Sequence, residues 1–436
     1  MDHQRAVDLA SEAQSRLNAF NDFQLYDFDV VTGESANAVL TVQLDLARGE
    51  HPRAKLRSWL PVLDIQYTQT QSSDLAAFIA QEIRKVFEDE HASLSYLLSE
   101  TPFSSGREML LDSKTTARLD ARTTRAFKYA STYHLTFSLF ASSSSPSAWD
   151  VEEALGQYIK PLLERLSPVY QLTVETQVQL HASFSPSIAG PTCDDQTKQW
   201  KLQKSDLSGF INAAEWPLNP SIGTGPTVNF VLYAPSEEQT PLVVAETGGN
   251  NWLIPQWGGV QIYNSVTTQP RKLTATDLEP VMLTFADQLT SLLGLPPSPP
   301  SLSLRISSLT RERTTSLILS ASSTLGALAR LTHKLTSIAI PDTVAKSVDQ
   351  TIHRLEQACA DLREGRFDSA LENARIANDE AERAFFEPSM VGQVYFPDEH
   401  KVAVYVPLLG PMAVPLIMAG VKEIRKMAAA RKLKAA

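Results

Sequence analysis

Cysteine is nearly absent, with only Cys193 and Cys359 in 436 residues. Two thiols exclude a disulfide scaffold and a four-cysteine zinc site, and they lie in no C-x-x-C spacing, so one bridge is the most they can form. The signatures of common catalytic folds are missing too. No G-x-S-x-G, H-E-x-x-H or Walker loop occurs, and SIGTGP at Ser221 departs from G-x-G-x-x-G after its second glycine. DFDVVTGE at Asp27 resembles a calcium loop, but Gly33 falls at the seventh position instead of the sixth. No N-x-[ST] acceptor is present, since Asn219 is followed by Pro220. Excess positive charge is lacking as well: the net charge is −10, and taking away the +5 carried by residues 422–436 leaves −15 for everything before them. That balance excludes nucleic acid as a partner.

The eight histidines are scattered. His134 and His181 fall on predicted strands and could in principle meet Cys193 as base and nucleophile, but a satisfied core histidine and an inert thiol are the simpler assignment. His333 and His353 fall on separate predicted helices, without a carboxylate at ligand spacing, and read as surface or interhelical residues. These residues assemble neither a metal site nor a cofactor site.

What the chain does have is a long uncharged run, Val402 to Val421, that contains three prolines. Twenty helical residues reach about 30 Å, the thickness of a bilayer's hydrocarbon core. A buried strand is disfavoured, because each proline would remove a donor from its ladder, and a proline-kinked core helix is the other reading, against which the following residues argue. Lys422, Arg425, Lys426, Arg431, Lys432 and Lys434 follow, opposed only by Glu423. Such a basic flank predicts a cytoplasmic tail and places the preceding residues across the membrane. The polar opening Met1 to Arg5 supplies no apolar segment to carry them across, so a further span is expected upstream. Pro407, Pro411 and Pro415 stand at i, i+4 and i+8 and lie along one helix face. The carbonyls of Ala403, Pro407 and Pro411 are then left unbonded, and Gly410 beside them permits close approach. This stripe is the candidate partner interface.

The rest reads as an α/β (α+β) chain: a mixed β-sheet with packed helices, followed by a helical hairpin or bundle segment and the transmembrane helix. Residues 4–20 and the run from Ser73 through Glu90 have helical spacing. FQLYDFDVV, AVLTVQLDL and PVLDIQYTQT read as strands. The same order recurs as a strand at Tyr133–Ala141, a helix from Trp149 and a strand at Tyr170–Leu180, after which come TVNFVLYAP, PLVVAE and GVQIYN as short strands and a helix through DLEPVMLTFADQLTSLLG. PPSPPS at Pro296 predicts the end of the α/β unit, and helical runs are expected over Leu309–Ser337, Asp342–Arg363 and Phe367–Phe386. The expected organisation is therefore an α/β domain at 1–300, a helical segment at 301–390, a span at 402–421 and a tail at 422–436.

One further pattern is aromatic, proline and glycine punctuation around short strands: AEWPLNP (Trp216, Pro217), NFVLYAP (Asn229), QWGGVQIYN (Trp257, Gly258, Gly259) and AFFEPS (Phe385, Phe386, Pro388). Read from the residues, Gly258-Gly259 allows a tight turn or bulge beside an indole. In this order, and followed by VYFPDEHKVAVYVPLLGPMAVPL, the blocks resemble the S subunit family of the glycosylphosphatidylinositol (GPI) transamidase, PIG-S. The resemblance covers roughly residues 130–425. It implies a non-catalytic assembly subunit of an endoplasmic-reticulum membrane complex, with a large lumenal region. The implied partners are the other transamidase subunits, including a cysteine-protease-like catalytic one, and the implied cofactor is none. Two other readings stay open: a membrane-anchored α/β hydrolase using Cys193 or an unrecognised serine, and a general helical adaptor built on residues 301–387.

Overall fold

The computed structural model describes residues 3–19, 25–33, 35, 38–46, 52–67, 75–99, 112–182, 190–211, 225–265, 271–334, 340–390 and 398–434. The chain divides into two compact units, one of Met1–Ser316 with Asp361–Leu371 and one of Leu317–Ala360 with Glu372–Ala436. The α+β class read from the sequence is the observed one.

The first unit opens with α1 (His3–Ala19), a three-stranded sheet of β1 (Thr41–Leu46), β2 (Arg53–Leu56) and β3 (Val62–Tyr67), and α2 (Leu75–Ser99). Strand β3 lies centrally, parallel to β1 and antiparallel to β2. Leu17, Ile65, Ile79 and Ile83 fill the core between sheet and helices. The strand expected in FQLYDFDVV does not form over its described part, residues 25–31. Side chains of α1 take its backbone bonds instead. Asn18 both donates to the Phe28 carbonyl (3.1 Å) and accepts from the Phe28 N–H (3.0 Å), and Gln14 accepts from the Val30 N–H (2.9 Å).

After α3 (Ser113–Arg125) comes the central sheet. Its strands are β4 (Thr132–Ala141), β6 (Gln171–Leu180), β9 (Thr227–Ala234), β11 (Asn251–Ile254) and β12 (Gly258–Ile262), in the order β11-β12-β9-β4-β6. All neighbours are parallel except β11 with β12. Strand β4 is buried on both faces, as central strands of parallel sheets are. One face receives α6 (Ala275–Leu292), whose Phe285 packs on Phe137 and Phe230 with ring centroids 6.0 and 5.1 Å away. The other face is covered near Phe140, Tyr233 and Ile262 by Leu202 and Leu242. Those two leucines belong to β8 (Gln199–Leu202) and β10 (Leu242–Val244), which pair in a small sheet with β7 (Thr192–Asp194). A two-stranded pair, β5 (Ala148–Trp149) with β13 (Lys272–Leu273), precedes the helices.

The crossover from β4 to β6 is a helix in three pieces: α4 (Val151–Ala154), a π-turn (Leu155–Ile159) and α5 (Lys160–Leu166). Lys160 N–H donates to Leu155, five residues back, and Pro161 has no N–H to continue the usual ladder. The wider turn lets Ala154 and Ile159, five positions apart, both be buried, where a regular helix would need a spacing of three or four.

In the helical region α7 (Leu302–Lys334), α8 (Asp342–Arg363) and α9 (Phe367–Phe385) follow, and α10 (Asp398–Lys434) carries the uncharged run. The boundary between units falls within α7, beyond the proline segment expected to close the α/β part. The reason is local: Ser301 and Arg305 hydrogen-bond the Leu60 and Pro296 carbonyls (3.1 and 2.6 Å), which ties the start of α7 to the first unit. In the second unit Ala321, Ala377 and Ala381 are fully buried, with Leu325 and Leu355 packed against them.

The glycines separate two kinds of position. A Cβ on Gly258 would overlap the Asn229 carbonyl, and one on Gly259 would overlap the Gln288 side-chain amide. Gly156 is exposed in the π-turn and has nothing within 4 Å. Gly258→Ala is therefore expected to cost about 1–3 kcal/mol, as overpacking does, while Gly156→Ala is neutral or stabilising by a few tenths to about 1 kcal/mol. Urea denaturation of the two variants checks the contrast.

Candidate functional site

The thiol-histidine pairing considered from sequence does not assemble. His134 lies at the start of β4, buried, with Nδ1 2.6 Å from the Thr173 hydroxyl. Cys193 is exposed on β7 and pairs across the small sheet with Trp200, which packs against the cluster around Phe140. His134 and Phe140 are six residues apart on one strand, about 20 Å. His181 is exposed just past β6 with φ 56°, and no hydrogen bond joins it to Cys193. Cys193 and Cys359 are both free. Beside Cys193, the Lys201 ammonium holds the Asp194 carboxyl down at about 2. Among the described residues no three His, Cys, Asp or Glu side chains form a metal-sized cluster.

The densest buried chemistry lies on one turn of α7 that the sequence reading passed over. Arg311, Glu312 and Arg313 all point into protein. Arg311 makes a bidentate pair with Glu90 of α2 (2.5 and 2.6 Å), donates to Ser307 (2.7 Å) and stacks over Phe367 at 4.8 Å. Glu312 pairs with Arg122 of α3, which also donates to Ser93 (3.2 Å). Arg313 donates to the Leu293 carbonyl (2.9 Å) and lies over Tyr129 at 5.8 Å. Burial raises the Glu312 carboxyl above its ordinary range against the opposing pull of Arg122. Burial also pushes the Tyr26 phenol well up, with Glu90 adding to the effect. Two of the three charges are matched by opposite ones, Arg311 by Glu90 and Glu312 by Arg122, while Arg313 rests on a carbonyl and a ring, so the cluster clamps helices together. A run of alternating charges inside a predicted helix whose flanks are apolar or small was the available signal.

The punctuated blocks are partly described. Trp216 and Pro217 lie outside the described residues. Asn229 is buried on β9, and its N–H donates to the Trp257 carbonyl (3.0 Å), so the start of β12 is laid directly against β9. Trp257 is half-buried against the cluster under the small sheet, in a turn that Gln256 pins to the end of α3 through the Thr124 and Arg125 carbonyls (3.2 and 3.1 Å). Phe385 and Phe386 meet edge to face at 5.0 Å, Phe386 largely exposed, and Pro388 is exposed at the start of a helical stretch, residues 388–390, just past α9. Helix α10 continues unbroken through Pro407, Pro411 and Pro415. Its stretch Ala403–Ala428 is long and apolar enough to cross a membrane, and none of it is buried by the rest of the chain. Gly410 lies on that helix with open space where a Cβ would stand.

An α+β body, a helical segment and an exposed apolar helix of spanning length define the class, an α+β protein with a membrane-spanning helix. The chain belongs to the PIG-S family, "Phosphatidylinositol-glycan biosynthesis class S protein", whose profile matches residues 1–430. It is 32% identical to the rat GPI-anchor transamidase component PIGS, over 68% of this chain and 58% of that protein. Against the Schizosaccharomyces pombe GPI transamidase component PIG-S homolog it is 32% identical, over 72% and 57%. Against the Saccharomyces cerevisiae GPI transamidase component GPI17 the figures are 29%, over 66% and 57%. The chain thus spans little more than half the length of these curated relatives.

Removing one member of the Arg311–Glu90 pair strands a buried charge. Arg311→Met or Glu90→Leu alone is expected to cost about 3–5 kcal/mol, and the double substitution much less, because no unpaired ion remains. Chemical denaturation of both singles and the double measures the difference.

Proposed function

We propose that this chain is the body of a non-catalytic, membrane-anchored subunit of a GPI transamidase, the complex that joins proteins to a GPI lipid at their carboxyl ends. The observation that carries the reading is the family match over residues 1–430, together with relatives whose names all describe transamidase components. In this reading the α/β part and the helical segment lie in the lumen of the endoplasmic reticulum. Residues 402–421 cross the membrane and 422–436 stay in the cytosol, as their basic flank favours. Chemistry belongs to a separate cysteine-protease-like subunit. This chain supplies surfaces for assembly, one of them the stripe of Pro407, Gly410, Pro411 and Pro415. Carbonyls freed by those prolines would cost several kcal/mol each if they faced lipid, and a neighbouring helix is a suitable cover.

The alternative, a hydrolase acting through Cys193, makes an opposite forecast. In cells lacking the native protein, Cys193→Ala is expected to restore GPI attachment and to co-purify the other subunits as the unsubstituted chain does; loss of attachment with the complex intact would favour the hydrolase. A glycosylation acceptor engineered after Lys434 should remain unmodified, and its modification would invert the topology. Replacing the three prolines of α10 with leucine should leave insertion and folding intact while lowering recovery of the other subunits, and full recovery with full GPI attachment would remove the stripe from the interface.

A further inference from the structure

Strand β6 is, among the described residues, one edge of the central sheet, and its ten residues run about 33 Å. Its pairing with β4 fixes which backbone groups are used. Gln171 N–H donates to Ser131 on the β4 side (2.7 Å), while the even residues His134 and Ser142 of β4 and its end turn their N–H groups the other way, to Pro226 and Ala234 (3.1 and 3.0 Å), so residues of odd number on β6 face β4. In a parallel pair the even residues, Leu172 to Leu180, then direct N–H and C=O outward. Edges of this length are usually blunted by lysine, proline or a bulge. QLTVETQVQL has no lysine or proline, carries Glu175 as its single charge, and pairs in register through all ten positions.

The side chains extend the pattern. Val174 and Val178 are 40% and 42% exposed, while their cross-strand partners Leu135 and Leu139 are fully buried. The apolar face of the sheet therefore runs past β4 and stops uncovered on β6. One more strand would bond the outward groups and continue that face, provided its alternate residues were apolar.

We propose, building on the functional reading above, that an extended strand of another transamidase subunit completes the outward edge of β6. That strand would be apolar opposite Val174 and Val178, and neutral or basic overall. A second copy of this chain is a poor occupant, because it would bring together two bodies of net charge −15 each, residues 422–436 excluded, with two Glu175 residues in one short ladder. A strip about 33 Å by 5 Å is also far smaller than the roughly 800 Å² per partner of a stable free-standing interface. It suits a partner already held close, as two subunits in one membrane are.

The test uses the full-length native protein in the native complex. Thr176→Pro removes one outward donor and no bond to β4, and Thr176→Val is its control. Expected are wild-type expression and thermal unfolding for both, with recovery of the other subunits lowered about tenfold by proline alone. A photoreactive benzoylphenylalanine at Val178 should give an adduct to one segment of another subunit. Full recovery with Thr176→Pro, or adducts to a second copy, to lipid or to nothing, overturns the proposal; should the proline variant unfold, the adduct decides. If the unsubstituted chain recovers no transamidase subunit, the functional reading fails; if chain and variant recover them equally, only the edge proposal does.

Discussion

A guanidinium cut off from water has to be matched where it lies, and Arg311 of α7 sets that condition for the first unit. Its fork is taken by Glu90, its face by Phe367, and the next two residues repeat the demand: Glu312 takes Arg122, and Arg313 takes the Leu293 carbonyl. One turn of one helix thereby positions α2, α3 and the end of α6. Apolar contacts tolerate sliding by part of a turn, but a bidentate pair does not. The hydrophobic cores on either side, around Ile65 and around Phe137, supply most of the burial, and the ionic turn fixes their registry.

The same economy explains the family blocks. Gly258 and Gly259 stand where two backbones and a helix meet without room for a side chain, and Trp257 anchors the turn that delivers them. What the geometry shows at these positions is close backbone packing. Assembly surfaces need no such geometry. They have to be exposed and unfinished, as the edge of β6 and the apolar length of α10 are.

Elements with a strong period were legible from the sequence. Helix α8 has the expected bounds, β4, β6 and β9 lie where alternation or continuous apolarity put them, and α10 follows from a run without charge. Segments governed by distant partners were not. Residues 25–31 have strand composition, yet Asn18 and Gln14 claim their backbone. Strand β2 (RAKL) and helix α3 (SKTTARLDARTTR) are too polar to announce themselves. The charges at 311–313 were passed over, because a sequence does not show that Glu90, more than two hundred positions away, waits to meet them. The candidate interfaces were half legible: α10 by its composition, the β6 edge only once strand order was known.

The π-turn between α4 and α5 bears on how chain length is used. Five residues there do the work of four, so the segment Leu155–Ile159 holds one residue that a regular helix would not need. Removing it would return Ala154 and the residue now called Ile159 to ordinary helical spacing and leave both facing the core. Elsewhere in this crossover a one-residue deletion would turn every later side chain by about 100° and take Leu166 out of its place. This short stretch is thus where the crossover can lose one residue without disturbing the sheet.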